Sequence, residues 1–246
     1  MSSDRPATIL SPSDLFLAPA LSDQSVQEYL SSLGFRDPAA ADQNLQLMAE
    51  DYAVRQTLGA MAESLMDSLR RAPDPDSALV GFERYLSTRT AKINFLNYLA
   101  EDIIALDLLI QVLGASPFLS EILIRNPEYF HWLRQEYDRA PSDAAHYDEE
   151  ISPSLDTLRE AGAKLDALKR FKRRHILRIA ARDILGVEPL SSVTAQLSDL
   201  ADTIVNRTCR VVRDQLKGKQ GISSGDSRNS DRITGPVRNF CVVGMG

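Results

Sequence analysis

The sequence predicts a mainly α protein: a multi-helix bundle, then a flexible loop, then the first strand of an incomplete α/β domain. Three observations carry this. Apolar residues recur at helical spacing along most of the chain up to about Lys217. Helix punctuation, with Ser, Asp or Pro ahead of the runs and Gly or Pro behind them, divides that region into short segments joined by tight turns. Composition then shifts: "KGKQGISSGDSRNSDRITGP" has almost nothing to bury, and only after it does a strand-like run, Phe240-Cys241-Val242-Val243, appear.

Ser11-Pro12 and Ala18-Pro19 punctuate short apolar pieces at the start. Ser22-Asp23 can cap a helix running to Leu33, with Gly34 just past its end. Pro38 opens the next segment. Leu45, Met48, Tyr52, Leu58, Met61, Leu65 and Leu69 mark a helical stripe that Pro73 and Pro75 stop, and Asp76-Ser77 starts the short helix "SALVGFERYLS". Arg89 to Leu113 reads as the longest apolar helix, ended by Gly114. Glu101, Asp102 and Asp107 inside it argue against a membrane span and for a buried helix whose carboxylates take Arg or Lys partners from neighbouring helices. Pro117 sits in the first turn of "SPFLSEILIRN", and Asn126-Pro127 begins "NPEYFHWLRQEY". Residues 138–150 are polar and acidic and read as a loop. Pro153 opens a long helix through Leu158, Ala161, Leu165 and Leu168 to Gly186. Ser191 or Ser192 caps the last helix, with the stripe Leu197, Leu200, Ala201, Ile204, Thr208, Val211 and Val212, and Gly218 terminates it.

The 246 residues are 43% hydrophobic and 25% charged, ordinary for a soluble protein with a large core. The net charge of −6 supplies no general attraction to nucleic acid or to an anionic membrane. Two cysteines, Cys209 and Cys241, lie far apart without metal-ligand neighbours, which fits a reducing compartment. The start, MSSDRPATIL, has no apolar signal core, so the expected location is cytoplasmic, without membrane contact.

Few residues suggest chemistry. Lys169, Arg170, Lys172, Arg173, Arg174, Arg178 and Arg182 fall within about four turns of helix. Such a run either meets an anionic partner or is a solvated face paired with acidic neighbours, the usual state of a charge run. Arg178 and Arg182, spaced i, i+4 among Ile176, Ile179 and Ile184, lie nearest the core, and with Arg174 they are the candidates for anion or interdomain contacts. No aromatic platform or reading motif accompanies the run, so nucleic acid is not an expected partner. His131, His146 and His175 are scattered, with no short-range His or Cys pairing that would hold a metal. Trp132 and its neighbours in "YFHWL" read as core. The strand runs into Gly244-Met245-Gly246, where glycines permit a tight turn and close approach of backbone N–H groups to a phosphate; by pattern alone an ordinary strand-to-turn connection is the preferred reading.

"SPFLSEILIRNPEYFHWL", "FKRRHILRIAARDILGV", "LSDLADTIVN" and "VVGMG" occur in that order from about Leu113 to Gly246. Together they resemble the N-terminal part of the bifunctional glutamine synthetase adenylyltransferase/adenylyl-removing enzymes; the likeness is weaker over the first hundred residues. The resemblance implies a nucleotidyltransferase of two polymerase-beta-like halves joined by helical domains. One half transfers AMP from ATP to a tyrosine of glutamine synthetase, and the N-terminal half removes it by phosphorolysis. It further implies magnesium and ATP or phosphate as cofactors of the full-length protein, glutamine synthetase and the PII signalling protein as partners, and a role in control of nitrogen metabolism. Gly244, Met245 and Gly246 match the first part of the family's phosphate loop; the Lys-Leu-Gly-Gly that follows there, and the metal-binding Asp-x-Asp beyond it, have no counterpart in this sequence. The expectation is a helical domain over residues 1–218, a linker over 219–236 and the truncated start of the nucleotidyltransferase domain over 237–246. Such a chain is expected to hold no metal, to bind neither cofactor by itself and to have no catalytic residue of its own. The alternative is a stand-alone helical module that docks on glutamine synthetase or PII.

Overall fold

The computed structural model describes residues 10–219, and among them every regular element is helical. The predicted strand Phe240–Val243, the glycines after it and most of the predicted linker lie outside the described residues. The chain divides into two compact units, Met1–Arg139 with Ala180–Val187, and Ala140–Ile179 with Glu188–Gly246.

The first unit holds α1 (Asp14–Leu17), α2 (Asp23–Ser32), α3 (Pro38–Met48), α4 (Tyr52–Ala60), α5 (Ala62–Arg71), α6 (Pro75–Ser87), α7 (Lys92–Glu101), α8 (Ile103–Ala115), α9 (Pro117–Arg125) and α10 (Tyr129–Glu136). Its hub is α8, which packs against α5, α6, α7, α9 and α10. A helix touched on so many sides must be apolar all round, and every residue of α8 from Leu108 to Gly114 is buried. The glycines let α6 and α8 approach closely. A Cβ on Gly114 would stand 3.0 Å from the Asp74 carbonyl oxygen, and one on Gly81 would stand 3.1 Å from Leu113 Cβ. The one polar side chain within the buried face of α8, Gln111, donates to the Ser68 carbonyl at 3.2 Å.

Several boundaries follow the sequence signals closely. Ser22 caps α2, its hydroxyl accepting from Ser25 N at 3.2 Å, and Gly34 beyond the helix takes φ +96°, a conformation that a Cβ would strain. Others differ for identifiable reasons. The stripe from Leu45 to Leu69 is cut into α3, α4 and α5. Asp51 caps α4 by accepting from Ala53 N at 2.9 Å and Val54 N at 3.0 Å, and Tyr52 is 76% exposed rather than part of the core. Pro75 starts α6 instead of stopping its predecessor, because Asp74 supplies the cap to Ser77 N at 3.1 Å. The long apolar helix over 89–113 is two helices. The Asp102 side chain accepts from Ala105 N at 3.0 Å and receives Arg134 Nε at 2.8 Å, so it satisfies the start of α8 and ends α7. Asp107 meets Arg71 at 3.1 Å, so Asp102 and Asp107 both have the arginine partners expected of them.

The second unit is built from α11 (Ala144–Thr157), residues 161–179 of α12 (Ala161–Ile184) and α13 (Leu190–Lys219). Its core joins Tyr147, Ile151 and Leu155 of α11 to Ala167, Leu168, Phe171 and Ile179 of α12 and to Val193, Leu200 and Val211 of α13. The acidic stretch expected to be a loop up to Glu150 is helical from Ala144, with Asp143 as the cap accepting from His146 N at 2.9 Å. Pro153 lies inside α11 and not at the head of a longer helix. It is exposed, and so is Glu149, so the carbonyl that loses its partner to the missing N–H lies on the solvent side of the helix. Residues 158–160 are non-helical, and α12 starts after them. In α13, Val193 and Leu200 are buried while Leu197 is 42% exposed, and the helix begins at Leu190 and continues through Gly218 to Lys219.

Candidate functional site

The basic run of α12 separates into two kinds of residue. Lys169, Arg170, Lys172 and Arg173 are exposed, and Lys169 pairs with Asp166 one turn away at 3.0 Å. Arg174, Arg178 and Arg182, spaced i, i+4, i+8, form the other stripe and point inward. Arg174 reaches Glu150 of α11. Arg178 is 1% exposed; it donates through Nη2 to the Ala140 carbonyl at 2.7 Å and through Nη1 to Ser142 Oγ at 3.3 Å. In the first unit Arg182, also buried, donates to the Tyr137 carbonyl, with its guanidinium 6.0 Å from the Tyr137 ring centroid. All three candidates thus hold backbone or carboxylate partners within their own unit. Carbonyls outside the helical ladders need donors, and a guanidinium at the end of a long stem reaches more than one acceptor at once. The other candidates, Gly244, Met245 and Gly246, lie outside the described residues.

Glu150 is the centre of a group that linear spacing hides. Its Oε2 lies 3.2 Å from Nε2 of His175 and 3.9 Å from Nε2 of His146, while Oε1 takes Arg174 at 2.5 Å. The histidines looked scattered because they sit on different helices. His175 is 1% exposed, wedged against Phe171 with ring centroids 4.2 Å apart and edge-on to Tyr147 at 5.0 Å. Burial lowers its pKa below the ordinary imidazole value; the contact and charge of Glu150 oppose this, and Arg174 and Arg178 reinforce it. Burial works to raise the Glu150 carboxyl, but His175, Arg174 and His146 together hold it below its usual range. The Tyr147 hydroxyl is pushed up to about 12 by burial, with the Arg178 charge opposing. A second pairing, also unannounced by spacing, joins α13 to α11: Arg207 grips Asp148 with Nε and Nη2, each at 2.5 Å, and lowers its pKa chiefly through that hydrogen bond.

Both titrations work in one direction. The folded pKa of His175 lies below its unfolded value of about 6.5, so the unfolded chain takes up a proton first as pH falls. The Glu150 carboxyl, lowered in the fold, adds to the loss once its unfolded counterpart begins to protonate. The second unit is therefore expected to be at full strength above about pH 7 and to weaken progressively below about pH 6.5. Denaturant midpoints measured from pH 8 to pH 5 check this. His175→Gln should flatten the pH 7 to pH 5 part of the curve, and an unchanged slope would contradict the assignment.

None of this arrangement fits a magnesium–phosphate centre. Among the described residues no three His, Cys, Asp or Glu side chains are grouped to hold a metal ion. Asp102, Asp107, Asp148 and Glu150 are engaged by arginines, and no step is assigned through a metal here. Nor is any helix among the described residues long and apolar enough to cross a membrane.

The chain resembles curated proteins named bifunctional glutamine synthetase adenylyltransferase/adenylyl-removing enzyme. It is 28% identical over 212 residues to the protein from Thioalkalivibrio sulfidiphilus, which covers 81% of this chain and 22% of the relative. It is 30% identical over 205 residues to that of Bradyrhizobium sp. strain ORS 278, with 79% and 20% covered. It is 26% identical over 227 residues to that of Leifsonia xyli, with 92% and 21% covered. The chain therefore spans about a fifth of the length of the curated relatives it matches. No solved structure matches it. The family model described as glutamate-ammonia ligase adenylyltransferase matches residues 106–246, more than half of the chain and all of α9 to α13. The chain belongs to the glutamate-ammonia ligase adenylyltransferase family.

Proposed function

We propose that these residues are the helical part of a cytoplasmic enzyme that adenylylates and deadenylylates glutamine synthetase, and that their own contribution is to hold and present, not to perform the phosphoryl chemistry. The observation that carries the reading is the family match over residues 106–246. The curated relatives are named for AMP transfer to, and removal from, glutamine synthetase. The interior supports the assignment of roles: Arg174, Arg178 and Arg182 are engaged by partners within the fold. Transfer to a tyrosine and phosphorolytic release of ADP, with magnesium and nucleotide bound, belong in this reading to residues other than the described ones. PII is the proposed regulatory partner.

The test is to supply the chain with adenylylated glutamine synthetase, inorganic phosphate, magnesium and PII and to measure ADP. The expected result is no ADP above the blank, together with retention of glutamine synthetase on the immobilised chain. Turnover above the blank would place the catalytic centre within this chain and defeat the division of labour. Absence of retention would defeat the presenting role.

A further inference from the structure

A cleft of about 540 Å³ opens on the first unit between the turn after α6, α7 as far as Tyr98 and the start of α10. Its lining is asymmetric in chemistry. Phe95, Tyr98 and Phe130 supply an aromatic wall, and Thr88, Thr90, Asn94 and the His131 ring form a polar rim. Arg89 supplies the cation, and no carboxylate is among the residues that line the cleft. The size is that of an ordinary small-molecule site.

Arg89 is held in place. Its guanidinium lies 4.7 Å from the Phe95 ring centroid and 5.8 Å from that of Tyr85, and Nη1 donates to the Pro127 carbonyl at 3.3 Å. Stacking on a ring and a single anchoring bond fix the plane of the fork and leave its other N–H groups without an acceptor among the described residues. No carboxylate of the described residues lies within ion-pair distance of it. The contrast with the neighbouring cleft of about 310 Å³ between α6 and α9 is direct: there Arg84 is neutralised by Glu121 at 2.5 Å. A half-buried, pre-oriented and unpaired guanidinium facing a rim of hydroxyl and amide groups is built for a planar pair of oxygens. The Thr88 hydroxyl already donates to the Tyr85 carbonyl at 2.7 Å and His131 Nε2 is engaged by Gln135 Nε2 at 2.9 Å, so Thr90 and Asn94 are the rim side chains whose donors have no other partner among the described residues.

We propose that this cleft binds a small organic oxyanion, a carboxylate or phosphoryl group carried on a flat apolar body, with Arg89 as the recognition residue. The oxygens take the open edge of the Arg89 fork and the donors of Thr90 and Asn94. The flat body lies against the half-buried Tyr98, whose ring is edge-on to His131 at 6.4 Å, while the buried Phe95 ring backs the Arg89 guanidinium. The inference stands independently of the proposed function, since it uses neither catalysis nor a protein partner.

Phenyl phosphate and benzoate are the probes, titrated separately into the isotope-labelled chain at low ionic strength and followed by amide and arginine Nε–H NMR signals. Inorganic phosphate and phenol serve as the halves. Saturable shifts confined to residues 88–98, 130 and 131, with phenyl phosphate or benzoate binding more tightly than either half, are expected. The tighter of the two probes identifies the phosphoryl or the carboxylate source. Arg89→Met should weaken binding about tenfold or more, and the rim variant Thr90→Val/Asn94→Leu, on exposed positions that leave the core intact, should weaken it severalfold. Absence of saturable shifts with both probes overturns the proposal, as does a rim variant that binds like the parent. Inorganic phosphate binding as tightly as phenyl phosphate overturns the aromatic part of it.

Discussion

Replacing Arg178 with methionine is expected to cost the second unit about 2–3 kcal/mol, because the bond to the buried Ser142 hydroxyl and the bond to the carbonyl of the exposed Ala140 go together, and a buried acceptor left without its donor costs about 1–3 kcal/mol. Methionine keeps the apolar stem and so limits cavity formation, but Ser142 Oγ stays buried without the guanidinium, while the carbonyl of the exposed Ala140 can turn to water. The net charge of the chain falls by one more unit, yet the effect is not one of net charge. Arg178→Lys should recover only part of the loss, since a compact ammonium on a shorter reach does not span both acceptors. Urea denaturation followed by hydrogen exchange at residues 140–179 measures this for the second unit alone. Stability within a few tenths of a kcal/mol of the parent would contradict this structural role for Arg178.

That prediction rests on a reading partly visible in the sequence. Ile176, Ile179 and Ile184 around the basic run already set Arg178 and Arg182 apart from Lys169, Arg170, Lys172 and Arg173, and the burial follows that division. What no spacing rule supplies is the partner. The carbonyls of Tyr137 and Ala140 belong to the connection after α10, some forty positions away in sequence, and a carbonyl has no residue type to announce it. The same limit hid Glu150, whose two histidines and one arginine come from two helices. Other misreadings were local. In α11, Asp148, Glu149 and Glu150 obscured an i, i+4, i+8 stripe of Tyr147, Ile151 and Leu155 that is as regular as any in the chain. In α7 and α8, apolar content suggested one helix, and a single capping aspartate made two. Helical class was legible because it rests on many weak, repeated signals; the site was less so because it rests on single long-range pairs.

In the short helix α10 the reading of "YFHWL" as core holds for Tyr129, Phe130 and Leu133, but Trp132 is half-buried and His131 exposed; this helix carries the other large effect. "YFHWL" crowds aromatics on one turn, and Phe130 is 1% exposed, edge-on to Tyr85 at 6.1 Å and to Phe95 at 5.9 Å. Phe130→Ala is expected to destabilise the first unit by about 3–5 kcal/mol through lost transfer energy and a residual cavity. The loss should sit at the upper part of that span, since two edge-to-face contacts worth about 0.5–1.5 kcal/mol each go with the ring. The neighbouring chain has little freedom to collapse into the space: Tyr85 is tied through its hydroxyl to the Pro127 carbonyl at 2.8 Å, and Phe95 carries the Arg89 guanidinium. Phe130→Leu, which keeps more of the volume but loses both ring contacts, should cost less than the alanine variant, about 1–3 kcal/mol. Trp132 lies two positions along the same helix, so its fluorescence in a urea titration reads the first unit directly. An alanine variant with a midpoint equal to that of the leucine variant would mean that the trio does not pack as a unit. In that case the aromatic wall beneath Arg89 would be soft enough to close over the cleft.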